Sequence, residues 1–113
     1  MCPREHVAEW FETDYDVPFM LQDYQIREAK RVGIPAVTHV TGSGRLQTVT
    51  AQQNPRYHRL IGAFRAETGV PMILNTSFNE NEPVVCRPKE AIDCFLRTKM
   101  DLLVLGSWVV CRT

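Results

Sequence analysis

Apolar residues recur at helical spacing in three places and gather into short runs between them. Val7, Trp10 and Phe11 stand at i, i+3 and i+4, which predicts a short opening helix over residues 3–12 with Pro3 in its first turn. Pro18 pushes Val17 out of helical conformation and ends that element, after which Phe19-Met20-Leu21 reads as a short buried strand. Tyr57, Leu60, Ile61 and Phe64 form one stripe at i, i+3, i+4 and i+7 and predict the longest helix, over residues 55–68. Asn54 suits its N-cap, Pro55 its first helical position, and Gly69 followed by Pro71 its stop. A further helix starts at Pro88, with Ala91, Ile92, Phe95 and Leu96 facing inward and Glu90 in the dipole-favoured first turn.

Residues 34–40 read as a strand, with Pro35 near its start where a missing donor is harmless. Residues 41–44 turn the chain and residues 45–50 return it, which predicts a hairpin. Met72-Ile73-Leu74 is an apolar strand opening into Asn75-Thr76-Ser77-Phe78-Asn79. Residues 80–83 form a turn, residues 84–86 a short strand, and residues 101–105 and 107–110 two strands hinged at Gly106. Asp23, Arg27, Glu28, Lys30 and Arg31 make a local charge cluster, read as a solvated loop or edge. The sum is an α/β domain: one mixed twisted sheet, two principal helices and a short N-terminal helix. No repeat, linker or low-complexity stretch interrupts it.

Composition narrows the functional classes. A chain of 113 residues fits one domain, and 44% apolar with 23% charged residues excludes wholesale disorder. Lys plus Arg equals Asp plus Glu at 13 each, so the net charge is zero and a nucleic-acid partner is not expected. The longest apolar runs, such as Leu102-Leu103-Val104-Leu105, fall far short of a membrane span, and the N-terminus lacks the apolar stretch of a secretory signal. The four cysteines form no C-x-x-C pair and have no His at ligand spacing. Reduced thiols, a cytoplasmic location and no metal site are the resulting expectations, with Cys94 and Cys111 as small core residues.

Two polar clusters exceed what a bland fold needs. In Thr38-His39-Val40-Thr41-Gly42-Ser43-Gly44-Arg45, two glycines allow close backbone approach, exposed N–H groups suit an anion, and Arg45 offers a bidentate contact. An ordinary Gly-rich hairpin with Arg45 in water is the alternative. Asn75, Thr76, Ser77 and Asn79 follow an apolar strand, where ligands of α/β sheets collect, although such residues also satisfy their own turns. The three histidines show no metal spacing, and no nucleophile elbow is present, so no catalytic residue is assigned.

The run Ile34-Pro35-Ala36-Val37-Thr38-His39-Val40, then Gly44-Arg45-Leu46-Gln47-Thr48-Val49, resembles the "IPAVTHVDGTARLQTV" segment of a known family. Asn75-Thr76-Ser77-Phe78-Asn79 with Glu82-Pro83-Val84-Val85 is similar too, as are Arg87-Pro88-Lys89-Glu90-Ala91-Ile92 and Asp101-Leu102-Leu103-Val104-Leu105-Gly106. Together they resemble the C-terminal domain of the nodulation-protein and antibiotic-type O-carbamoyltransferases, from about Arg4 to the end. The resemblance implies a YrdC-like fold that binds ATP and carbamoyl phosphate and forms carbamoyl adenylate. It also implies a partner N-terminal domain, actin-like and metal-bearing, that holds the hydroxyl acceptor. Arg45 matches the arginine that grips carbamoyl phosphate, and Ser77 and Asn79 match a Ser-x-Asn pair at the nucleotide and carbamoyl site. His39, Gly42, Gly44, Asn75 and Thr76 flank these positions.

The sequence departs from the family pattern in two ways. The family's upstream "K-x-R…FRPFAP" segment, with its Lys and Arg, has no counterpart here, nor have the strands it belongs to. In "HVDGTAR", Thr41 and Ser43-Gly44 replace the Asp and the Thr-Ala. The expectation is a portion of a carbamoyltransferase that binds its phosphate ligands but is inactive alone. The alternative is a non-catalytic interaction module or truncated relic that pairs with another chain, a homodimer included, through an open sheet edge.

Overall fold

The first helix is shorter than its apolar spacing predicts. In the computed structural model, which describes residues 1–112, β1 (Cys2–Pro3) leads through a 3-10 turn (Arg4–His6) into α1 (Val7–Trp10). Phe11 then turns extended and bridges Ile26, so Val7, Trp10 and Phe11 all enter one core. There follow β2 (Asp23–Gln25), α2 (Glu28–Arg31), β3 (Ser43–Arg45), β4 (Thr48–Val49) and α3 (Pro55–Thr68). After them come α4 (Pro88–Arg97), β5 (Leu102–Leu105) and β6 (Trp108–Cys111). The chain is α/β, with two principal helices and a short N-terminal one. Its strands form three two-stranded ladders among the described residues, in place of one mixed sheet.

Residues Met1–Asn75 make one compact unit, and a second begins at Thr76. In the first, β1 pairs with β4 in parallel and β2 with β3 antiparallel, in the register Asp23 with Arg45, Tyr24 with Gly44 and Gln25 with Ser43. Its core joins Cys2, Val7, Trp10, Phe11, Val17, Ile26, Ile34, Leu46 and Met72. Each large side chain so buried contributes roughly 1.5–3 kcal/mol. The helix α3 has the expected bounds. Asn54 Oδ1 accepts from the Tyr57 amide at 3.1 Å, and Gly69 ends the helix at φ 77°, a left-handed value that favours glycine.

Several strands expected from the sequence are not there, each for a local reason. Thr48 takes up both backbone groups of Val17, its amide donating to Val17 O at 2.7 Å and its Oγ1 accepting from Val17 N at 2.9 Å. Val17 is thereby buried, while Phe19, Met20 and Leu21 face solvent as a loop. Residues 34–40 close a 3-10 turn at Pro35–Val37, with Val37 N and Thr38 N donating back to Ile34 and Pro35 carbonyls. Their partner is therefore not residues 45–50; β3 pairs with the charged segment at Asp23 instead. Ile73 exchanges two hydrogen bonds with Met1, but residues 72–74 form no strand. Residues 84–86 form none either, Val85 N donating to Phe78 O at 2.9 Å within a loop.

In the second unit, Glu90 reaches back so that its carboxylate accepts from the Cys86 and Arg87 amides at 3.0 and 3.1 Å, fixing the start of α4. Its buried face is Ala91, Cys94 and Phe95, of which Ala91 and Phe95 pack with Leu103 of β5. Ile92 and Leu96, read as inward, lie about 100° around the helix and are exposed. β5 and β6 form an antiparallel hairpin through Gly106. Cys111, read as a core residue, is exposed on β6. No helix among the described residues is long and apolar enough to cross a membrane.

Candidate functional site

The register of β2 and β3 builds a small polar cluster in the first unit. Along β3 and beyond, Gly44 and Leu46 are buried while Arg45 is exposed and Gln47 half-buried, the alternation of an extended chain. Asp23 stands opposite Arg45, and its Oδ1 lies 3.6 Å from Arg45 Nε. Its other oxygen, Oδ2, lies 3.3 Å from His39 Nδ1. One carboxylate thus faces both a guanidinium and an imidazole, with side chains 62% (Arg45), 45% (His39) and 42% (Asp23) exposed.

The glycines beside this cluster serve the fold. Gly42 sits at φ 77°, and a Cβ there would stand 2.4 Å from the Arg31 guanidinium carbon. Its amide donates to His39 O at 2.9 Å, and the His39 amide to Ser43 O at 2.8 Å. Those two donors, which the sequence reading offered to an anion, close the turn, so anion contact beside them falls to the His39 and Arg45 side chains. A Cβ on Gly44 would meet Val37 O at 2.7 Å and Ile26 Cδ1 at 3.0 Å. Close packing by the protein's own backbone, not by a ligand, accounts for that glycine. Asn75 Nδ2 donates to Gln47 Oε1 at 2.9 Å, and Gln47 Nε2 donates to Pro18 O at 3.1 Å, tying three loops of the first unit.

Thr76, Ser77 and Asn79 belong to the second unit. Thr76 and Ser77 are exposed; Asn79 is half-buried, its Nδ2 donating to Glu82 O at 2.8 Å. The loop is braced from α4: Arg97 meets Glu82 at 2.7 Å and Glu80 at 3.0 Å. That guanidinium, helped by backbone donors, holds the Glu82 carboxyl down at about 2. A groove of about 550 Å³ runs beside the same loop, lined by Pro83, Val84, Val85, Cys86 and Arg87 between Glu82 and Glu90. None of the sequence-derived site residues lines it.

The thiols divide by burial. Burial pushes Cys2 up to about 12, and burial with the nearby Glu82 carboxylate raises Cys94. Cys86 and Cys111 are exposed. Among the described residues, no three His, Cys, Asp or Glu side chains gather as metal ligands. Asp23 is the member of the polar cluster that sequence reading missed. The available signal was the alternation Asp23-Tyr24-Gln25-Ile26, a strand pattern hidden inside a charge cluster.

Comparison with known proteins bears on the whole chain. The family model described as Carbamoyltransferase C-terminus matches residues 1–112. The chain is 46% identical over 111 residues to the nodulation protein NolNO of Sinorhizobium fredii, covering 95% of this chain and 16% of that protein. It is 39% identical over 110 residues to a 3'-hydroxymethylcephem-O-carbamoyltransferase of Amycolatopsis lactamdurans, covering 96% of this chain and 21% of that enzyme. An uncharacterized protein of Synechocystis, sll1178, is also 39% identical, over 130 residues covering 96% of this chain and 21% of that protein. The chain therefore spans about a fifth of the length of these curated relatives. With the family model matched from the first residue to the last one described, this chain belongs to the carbamoyltransferase family and corresponds to its C-terminal domain.

Proposed function

We propose that this chain is the carbamoyl-phosphate- and ATP-binding portion of a cytoplasmic O-carbamoyltransferase that forms carbamoyl adenylate for transfer to a hydroxyl acceptor. The observation that carries the reading is Arg45, which faces solvent from β3 with His39 nearby and only a loose carboxylate contact. A guanidinium so placed offers phosphate oxygens a charge-assisted, bidentate contact. Ser77 and Asn79 are the groups that the family resemblance gives to the carbamoyl and nucleotide side, where hydroxyl and amide dipoles orient a planar group. Arg45, Ser77 and Asn79 are binding residues. The family resemblance gives the acceptor and its metal to an N-terminal domain, so residues 1–113 by themselves bind without turnover.

The test is a titration of carbamoyl phosphate, with and without ATP, followed by backbone amide shifts. Saturable shifts at residues 42–45 and 77–79, lost in Arg45→Ala, are expected. No shift in a well-folded spectrum would overturn the binding role, and carbamoyl adenylate formed by the chain alone would overturn its inactivity.

A second reading, an interaction module, is favoured by the β5–β6 hairpin. Its registered pairs put Leu102 with Cys111 and Val104 with Val109 on the face away from Leu103, and Leu102, Val104 and Val109 are exposed there. A dimer that forms irrespective of nucleotide, with no ligand shifts, would favour that reading.

A further inference from the structure

The Asp23 carboxylate sits where it meets both Arg45 and His39 at once. We propose that Asp23 is an internal competitor: in the free chain it holds His39 and Arg45, and an arriving phosphate dianion takes its place. This inference rests on the phosphate reading of Arg45.

The geometry is that of a stand-in oxyanion. One oxygen faces His39 Nδ1 at 3.3 Å and the other Arg45 Nε at 3.6 Å, as two oxygens of a phosphate would divide between two donors. Neither contact is closed. Elsewhere in the molecule Arg4 meets Asp14 at 2.6 Å and Arg97 meets Glu82 at 2.7 Å, the lengths of settled charged pairs. The contacts of Asp23 are longer by more than half an ångström, so they are readily exchanged.

The β2–β3 pairing holds the backbone of Asp23 and Arg45 alike, so the exchange needs only their side chains to part, and that of Arg45 is the longer. Exposure of all three side chains leaves the exchange open to a soluble ligand. Charge decides which ligand succeeds. Asp23 cancels Arg45, so a monoanion gains nothing over the carboxylate already present, while a phosphate dianion brings one charge more. Asp23 thereby weakens every anion by the same exchange, and a dianion keeps its one-charge advantage.

Amide-shift titrations with carbamoyl phosphate, inorganic phosphate and acetate test this on the wild type, Asp23→Asn, Arg45→Ala and the double variant. Asp23→Asn should bind both phosphates roughly fivefold more tightly, the effect of no longer displacing one carboxylate from Arg45 at about 4 Å in water. Acetate should gain as well, leaving the gap between phosphate and acetate no narrower, and the gain should vanish when Arg45 is absent. Unchanged or weaker phosphate binding in Asp23→Asn, with the β2–β3 amide pattern intact, would overturn the competitor role. If that pattern is disturbed, Asp23→Ser is judged by the same criterion. Wild-type binding that survives Arg45→Ala would instead refute the phosphate reading itself, a result that does not involve Asp23.

Discussion

The two tryptophans lie in opposite surroundings. Trp10 is 5% exposed in the first unit, with Lys30 Nζ 4.7 Å from its ring centroid, while Trp108 is 77% exposed on β6 of the second. Both sit in apolar stretches, yet only one stretch finds a second layer. The first unit wraps helices, turns and two short ladders around one core. In the second, a single helix covers part of one face of a two-stranded hairpin and leaves the other face to solvent. An isolated hairpin of this size is marginal in water. A run of apolar residues becomes a core only where the topology supplies something to lie against it.

Substitution at the tryptophans probes that contrast most strongly. Trp10→Ala should destabilise the first unit by about 3–5 kcal/mol, and Trp108→Ala should change stability by no more than about 0.5 kcal/mol. Urea melts followed by amide signals of each unit read both, and a large loss from Trp108→Ala would mean its side chain is covered in solution. Next in size, Gly44→Ala should cost about 1–3 kcal/mol, because its Cβ would meet Val37 O at 2.7 Å. Val104→Thr on the open face of β5 should stay within about 0.5 kcal/mol. A melt in which Val104→Thr costs as much as Gly44→Ala would erase the distinction.

The smallest effect is one of pH. The Arg97 guanidinium holds Glu82 at about 2, below its ordinary 4.5. A carboxyl lowered in the folded state stabilises fully above its ordinary value, and that contribution is lost as pH falls through the folded one. Amide signals of α4 should therefore weaken on acidification from 4.5 towards about 2, and Arg97→Gln should reduce that dependence.

Legibility from sequence followed the range of the interactions. The helix at residues 55–68 was readable because Asn54, Pro55 and Gly69 act on their immediate neighbours. The helix at Pro88 was readable for the same reason, although its inner face is Ala91, Cys94 and Phe95 and leaves Ile92 and Leu96 out. The ladders of the first unit were not readable. They are two or three residues long and join segments far apart, such as Cys2 with Thr48 and Asp23 with Arg45. Propensity at residues 34–40 favoured a strand, but Pro35–Val37 satisfied its donors locally. In the polar cluster, His39 and Arg45 stood out beside the glycines. Asp23 did not, because only cross-strand register brings it there.

The two hydrogen bonds between Met1 and Ile73 carry a kinetic consequence. Met1 N donates to Ile73 O at 2.7 Å, and Ile73 N donates to Met1 O at 3.1 Å, so the first unit fastens its own two ends together. Closing so long a loop is entropically unfavourable until the segments between are in place. The clasp should therefore form late in folding and open early in unfolding, with the Ile73 amide exchanging its hydrogen well before those of α3. A protein dominated by such distant pairings folds slowly for its size.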